Sequence, residues 1–157
     1  MKNTYSFDEL EMINIFKSVV SDAFKNDETK EKDFWYNLFG HRDFKMYESY
    51  QIDKPQFPCF VVTMEAIPYR RNGHSTQVEQ FSLVTAYIEH YNQATNDLGK
   101  DTVGIMINHR LKTVLQSTFG LDIVFNKPLE SFDNSVYRRR IEATFVYDNK
   151  NKVFYRE

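Results

Sequence analysis

Cysteine is nearly absent. Cys59 is the one thiol in 157 residues, which excludes an intramolecular disulfide framework. It stands in the run Phe57-Pro58-Cys59-Phe60-Val61-Val62, a setting that predicts a buried, protonated and inert thiol in a strand. Glycine and proline are also scarce, at five and four residues, so little chain is left for flexible linkers. The whole of 1–157 reads as a single domain. No apolar run approaches the roughly 20 residues of a membrane span. The first 16 residues hold too much Asp, Glu and Asn for the apolar stretch of a signal peptide. These features predict a protein made and used, or assembled, in a reducing cytosol. The formal net charge is only -2, which gives no global electrostatic case for nucleic acid or for an acidic membrane surface.

Catalytic patterns are missing as well. His41, His74, His90 and His109 form no HxH, HExxH or CxxC-type ligand spacing. There is no Gly-rich phosphate loop, no GxSxG elbow, no Walker lysine and no acidic constellation followed by Glu-x-Lys. His90 beside Glu89 reads as ordinary strand-end polarity, and Cys59 with a distant histidine gives no specific nucleophile pattern. The expectation is a protein that is not an enzyme and carries no cofactor and no metal.

What the chain does have is aromatic surface, with 14 Phe and 10 Tyr, and clear periodicity. Ser6 and Glu9 have capping-box spacing. Met12, Ile13, Ile15, Phe16, Val19, Val20, Ala23 and Phe24 then share one wide face at helical spacing. A second helix is predicted over 102–119. It would bury Val103, Ile107, Leu111, Val114 and Thr118 and stop at Gly120. Residues 26–32 read as a solvated loop.

Strands are predicted over 59–67, 78–91 and 136–147, with shorter ones near 44–52, 121–125 and 153–155. Asn72-Gly73 marks a tight hairpin turn between the first two, and 148–151 a closing turn. In the strand over 78–91, Phe81, Leu83 and Tyr87 lie on one side and Val84, Ala86 and Ile88 on the other. Apolar residues on both sides predict cover on both faces, the second of them from a neighbouring copy. In 136–147, Tyr137, Ile141, Ala143, Phe145 and Tyr147 oppose Arg138, Arg140, Glu142 and Thr144. The fold class is α+β, a mainly antiparallel sheet with a long hairpin, flanked by two helices in the order α-β-β-β-α-β-β.

Three segments are candidates for partner contact. Phe34-Trp35-Tyr36-Asn37-Leu38-Phe39 is either a lid over the core or a binding anchor through Trp35 and Tyr36. Tyr69-Arg70-Arg71-Asn72-Gly73-His74 occupies the hairpin tip. Tyr137-Arg138-Arg139-Arg140 opens the last long strand. Basic residues interleaved with aromatics can bind single strands, but the same residues serve as a solvated strand face paired to carboxylates.

With its elements in this order, the chain resembles the tail terminator family of long-tailed bacteriophages, also called tail completion or tail-to-head joining proteins. The resemblance spans nearly the whole chain. It rests on the element order, on Phe57-Pro58-Cys59-Phe60-Val61-Val62, on the hairpin at 70–74 and on Val136-Tyr137-Arg138-Arg139-Arg140. It implies a homo-oligomer, a six-membered ring that caps the tail tube, ends tube polymerisation and offers a surface to the head–neck connector. The implied partners are further copies, the tail tube protein and the connector. DNA would pass through the ring without specific binding, and no membrane is involved. The implied location is the tail–neck junction of the virion, assembled in the host cytoplasm. On this reading Tyr69, Arg70, Arg71 and His74 reach a neighbour or the tube. Arg138, Arg140, Glu142 and Thr144 line the ring or meet the tube. The alternatives are another neck or connector subunit and a small nucleic-acid-binding protein using the Arg and Tyr clusters; an enzyme working through Glu89, His90 or Cys59 has the least support.

Overall fold

The computed structural model describes residues 6–25, 34–39, 43–48, 56–69, 80–93, 99–120, 122–129 and 136–155. They form α1 (Glu9–Lys25), α2 (Phe34–Phe39), β1 (Lys45–Tyr47), β2 (Cys59–Pro68) and β3 (Phe81–Asn92). The chain continues as α3 (Gly99–Phe119), β4 (Asp122–Leu129), β5 (Tyr137–Asp148) and β6 (Val153–Tyr155). The class is α+β, as the periodicity predicts. A third, short helix is added at 34–39.

The six strands make one sheet in the order β1-β2-β3-β5-β4, with β6 also on β5. β1 runs parallel to β2, and every other pairing is antiparallel. β3 lies along one edge of β5. The other edge of β5 takes β4 along residues 138–144 and β6 along 146–148. The predicted hairpin is therefore β2–β3, joined in register from Cys59 opposite Tyr91 to Pro68 opposite Ser82. Its tip, with the Asn72-Gly73 turn, lies outside the described residues, as does the predicted loop at 26–32.

The helices cover one face of the sheet. Phe60, Val62 and Met64 of β2, Val84, Ala86 and Ile88 of β3, and Ile141, Ala143, Phe145 and Tyr147 of β5 are buried on that face. Against them lie Met12, Phe16, Val20 and Phe24 of α1, and Val103, Ile107, Leu111 and Leu115 of α3. Each large apolar side chain so buried contributes about 1.5–3 kcal/mol. Aromatic packing is dense: the Trp35 ring lies 4.6–5.7 Å from those of Phe39, Phe44, Phe24 and Phe60. The Trp35 Nε1 donates to the Asp43 carbonyl oxygen.

Several local expectations are corrected. The cap of α1 is Asp8, whose Oδ1 accepts the Glu11 backbone N–H at 3.0 Å. Ser6 lies two residues too early, and the same Asp/Ser-x-x-Glu spacing recurs at Asp8 and Glu11. On α1, Ile15 is exposed because it lies beyond the edge of the buried arc. On α3 the buried row runs Val103, Ile107, Leu111, Leu115 and Phe119, steps of four residues, so Leu115 replaces Thr118, which is exposed. Gly120 ends α3 as predicted, at φ 64°, with its N–H donated to the Gln116 carbonyl. Gly104 has a different purpose. A Cβ there would sit 2.1 Å from the Tyr137 ring, so its absence lets that ring lie on the helix backbone.

Candidate protein-interaction face

The second face of the sheet carries no helix among the described residues. Strand alternation sends Glu65, Tyr87, Glu89 and Tyr91 there from β2 and β3, and Arg138, Arg140, Glu142 and Thr144 there from β5. Tyr87 stands opposite Glu142, Glu89 opposite Arg140 and Tyr91 opposite Arg138. These positions are close enough for direct and diagonal contact.

Two clusters result. In the first, the Tyr87 hydroxyl donates to Glu65 Oε2 at 3.1 Å. The Arg140 guanidinium lies 4.1 Å over the Tyr87 ring, and its Nε is 3.5 Å from Glu142 Oε1. In the second, the Tyr91 hydroxyl donates to the Glu89 carboxylate. Arg138 lies 5.2 Å over the Tyr91 ring and places Nη2 3.5 Å from Glu89 Oε2. Burial, then the bond to a carboxylate, pushes the Tyr87 and Tyr91 phenols up from their ordinary range, so both stay protonated donors. Around the half-buried Tyr87 such contacts are worth about 0–1 kcal/mol each. Their main effect is to hold long side chains in fixed positions.

The two ends of the face differ. At one end Cys59, Val61, Tyr91 and Val136 form a small buried cluster under Tyr47 and Phe57. Burial there pushes the Cys59 thiol up to about 12, so it is an inert structural thiol as the sequence predicts. At the other end Leu83, Thr85, Thr144 and Val146 are half-buried, and Ile67 is 59% exposed.

The sequence candidates are distributed as follows. Arg138, Arg140 and Glu142 meet on the open face. Tyr69 is half-buried where the hairpin leaves the sheet, its N–H donated to the Phe81 carbonyl. Arg70, Arg71 and His74 lie outside the described residues. Trp35 is fully buried at the centre of the aromatic core, so it is not a surface anchor; its neighbour Tyr36 is half-buried. Glu89 and His90 do not converge, because adjacent strand residues point to opposite faces. His90 is sealed in the core against Phe60 and Trp35, with Asn92 Nδ2 3.1 Å from its Nε2. Burial pushes its pKa down to about 3. The residues that sequence reasoning missed are Glu65, Tyr87, Glu89 and Tyr91 as partners of the arginines. Alternation alone signals their shared face, but only the strand register joins them.

No group of three or more His, Cys, Asp or Glu arranged for a metal ion occurs among the described residues. None of the described helices is long and apolar enough to cross a membrane. No protein-family model and no curated protein matches this sequence.

Proposed function

We propose that this chain is a structural virion protein of the tail terminator kind. Copies form a ring that caps a phage tail tube, ends its polymerisation and presents a surface to the head–neck connector. The observation that carries the reading is the open sheet face. It is broad and aromatic, half-exposed around Tyr87 and closed over the fully buried Tyr91, and its arginines and glutamates are already paired with each other and with tyrosine rings. Such a face suits contact with protein, because covering it leaves few unpaired charges. The family resemblance supplies the specific assembly. The nucleic-acid reading draws less support, since Arg138 and Arg140 each stand beside a carboxylate.

The test is negative-stain electron microscopy of the purified chain mixed with phage tail tubes. Rings seated on tube ends are the expected result. Rings that bind head connectors and ignore tubes would make it a neck subunit instead. Particles that stay monomeric with both would refute the assembly role. Reversing the charge of Arg70 and Arg71 should abolish tube capping while leaving the fold intact.

A further inference from the structure

His90 lies on the helix-covered side of β3 and is fully buried. Its cross-strand neighbours on that side are Phe60 of β2 and Arg139 of β5. The Phe60 ring stands 5.0 Å from the imidazole, and Arg139 turns its Nη1 to the Tyr137 hydroxyl at 2.8 Å. From the helix layer, α2 sets the Trp35 ring edge-on at 6.2 Å. Asn92, on the same side of β3, places Nδ2 3.1 Å from the imidazole Nε2. The ring is thus held among aromatic rings and an amide, beside a guanidinium engaged elsewhere. Burial dominates its titration, and no carboxylate offsets it. A protonated ring has no acid to pair with in this place and must reach water.

The helix that packs Trp35 against this ring is also the one least able to stand alone. α2 has six residues, fewer than the roughly 12–15 below which an isolated helix is marginal in water. Its order comes from docking, and Trp35 is the centre of the dock. That ring packs with Phe24, Phe44 and Phe60, and its Nε1 donates to the Asp43 carbonyl oxygen. α1 and α3 are longer, at 17 and 21 residues, and each lays a row of buried apolar side chains on the sheet. The buried side chains described in α2 are Trp35 and Leu38 alone. Lifting α2 uncovers the imidazole edge and leaves the two long helices in place, whereas lifting either of those opens the main core.

We propose that α2 is an acid-released lid: when His90 takes up a proton, α2 leaves the sheet and carries Trp35 into water, while α1, α3 and the strands stay folded. Opening takes up one proton, so the open population rises about tenfold for each pH unit below the ordinary histidine value of about 6.5. The closed form is favoured most above pH 6.5. It loses that advantage as the pH falls towards about 3, where the buried ring itself would titrate.

An acid titration of the full chain from pH 7 to 3 without denaturant tests the lid. It reads Trp35 emission and its quenching by acrylamide beside far-ultraviolet circular dichroism. The expected result is a red-shifted, quenchable Trp35 at a pH where the circular dichroism still reports the sheet and the long helices. His90→Gln removes the proton uptake and should keep Trp35 shielded through the same range. The carboxylates that titrate there are common to both proteins, so they drop out of the comparison. NMR of the His90 ring gives a reading that needs no variant: its protonation should coincide with solvent exchange of the Trp35 indole N–H. Trp35 exposure that coincides with loss of the circular dichroism would overturn the lid and leave His90 acting on global stability alone. Equal exposure in His90→Gln, a protonated His90 beneath a shielded Trp35, or a Trp35 that stays shielded to pH 3 would overturn it as well.

Discussion

Lowering the pH should destabilise this fold through one residue, His90. In the unfolded chain its imidazole titrates near 6.5. In the folded chain burial pushes the pKa down to about 3. The folded-state pKa of this base is depressed, so its favourable contribution is fully present above pH 6.5. That contribution is lost as the pH falls from 6.5 towards 3, because the unfolded chain binds a proton that the folded chain refuses. The slope is about 1.4 kcal/mol per pH unit. At pH 4.5 the loss is about 2–3 kcal/mol, a large part of the roughly 5–15 kcal/mol that stabilises an ordinary domain.

The assay is urea unfolding between pH 7.5 and 4.5, followed by fluorescence of Trp35, the only tryptophan. The comparison is with His90→Gln, which keeps an acceptor for Asn92 and cannot ionise. The variant starts less stable, since it loses the ring contacts with Phe60 and Trp35. Below pH 6.5 the gap should narrow by about 1.4 kcal/mol per unit, because only the wild type carries the histidine penalty. Parallel pH profiles for the two proteins would refute the reasoning, as would a His90 ring resonance that titrates near 6.5.

Three further predictions test the packing and the cap of α1. Gly104→Ala should cost about 1–2 kcal/mol in thermal unfolding, because overpacking against Tyr137 outweighs a helix-propensity gain of about 1 kcal/mol; Tyr137→Ser in the same chain should remove the penalty. Trp35→Ala should cost about 3–5 kcal/mol, read by denaturant unfolding with circular dichroism, and a loss under 1 kcal/mol would mean that Trp35 is not core. Asp8→Ala should cost about 1 kcal/mol and Ser6→Ala almost nothing, which distinguishes the observed cap from the one that spacing alone suggests.

Much of the fold was legible in the sequence because alternation and helical spacing report burial directly. Ile141, Ala143 and Phe145 were assigned to one side of their strand and Arg138, Arg140 and Glu142 to the other, and the register agrees. A short strand near 44–52 was legible, but its parallel pairing with β2 was not: the three residues Lys45–Tyr47 carry too little pattern to declare a partner. The fate of 34–39 was ambiguous for a physical reason. An aromatic run has no polar side to orient it, so a core helix and a surface anchor look alike. Trp35 fell inside because Phe24, Phe39, Phe44 and Phe60 surround it. The candidate face was only half legible. The arginines stood out as a charge run with Glu142 on their side, but Glu89, Tyr87 and Tyr91 lie about 50 residues away and meet them through strand pairing alone.

Apolar residues on both sides of β3 suggested cover on both sides, and the structure refines that argument. The helix-free side carries Leu83, Tyr87 and Tyr91, and the tyrosines change what cover requires. Tyr87 holds its ring half-buried and Tyr91 holds its ring fully buried, each with its hydroxyl on a carboxylate, so around Tyr87 the face tolerates water better than one of Leu and Val. Glu65 and Glu89 accept hydrogen bonds from the hydroxyls, and Arg138 and Arg140 lie over the rings. Each charge is therefore partly compensated before any partner arrives. Desolvating an isolated charge costs several kcal/mol, whereas a pre-formed pair loses less when covered. A face built this way can stand open in the single chain and still be covered at low cost in an assembly. It makes a poor phosphate trap, because its cations are already engaged.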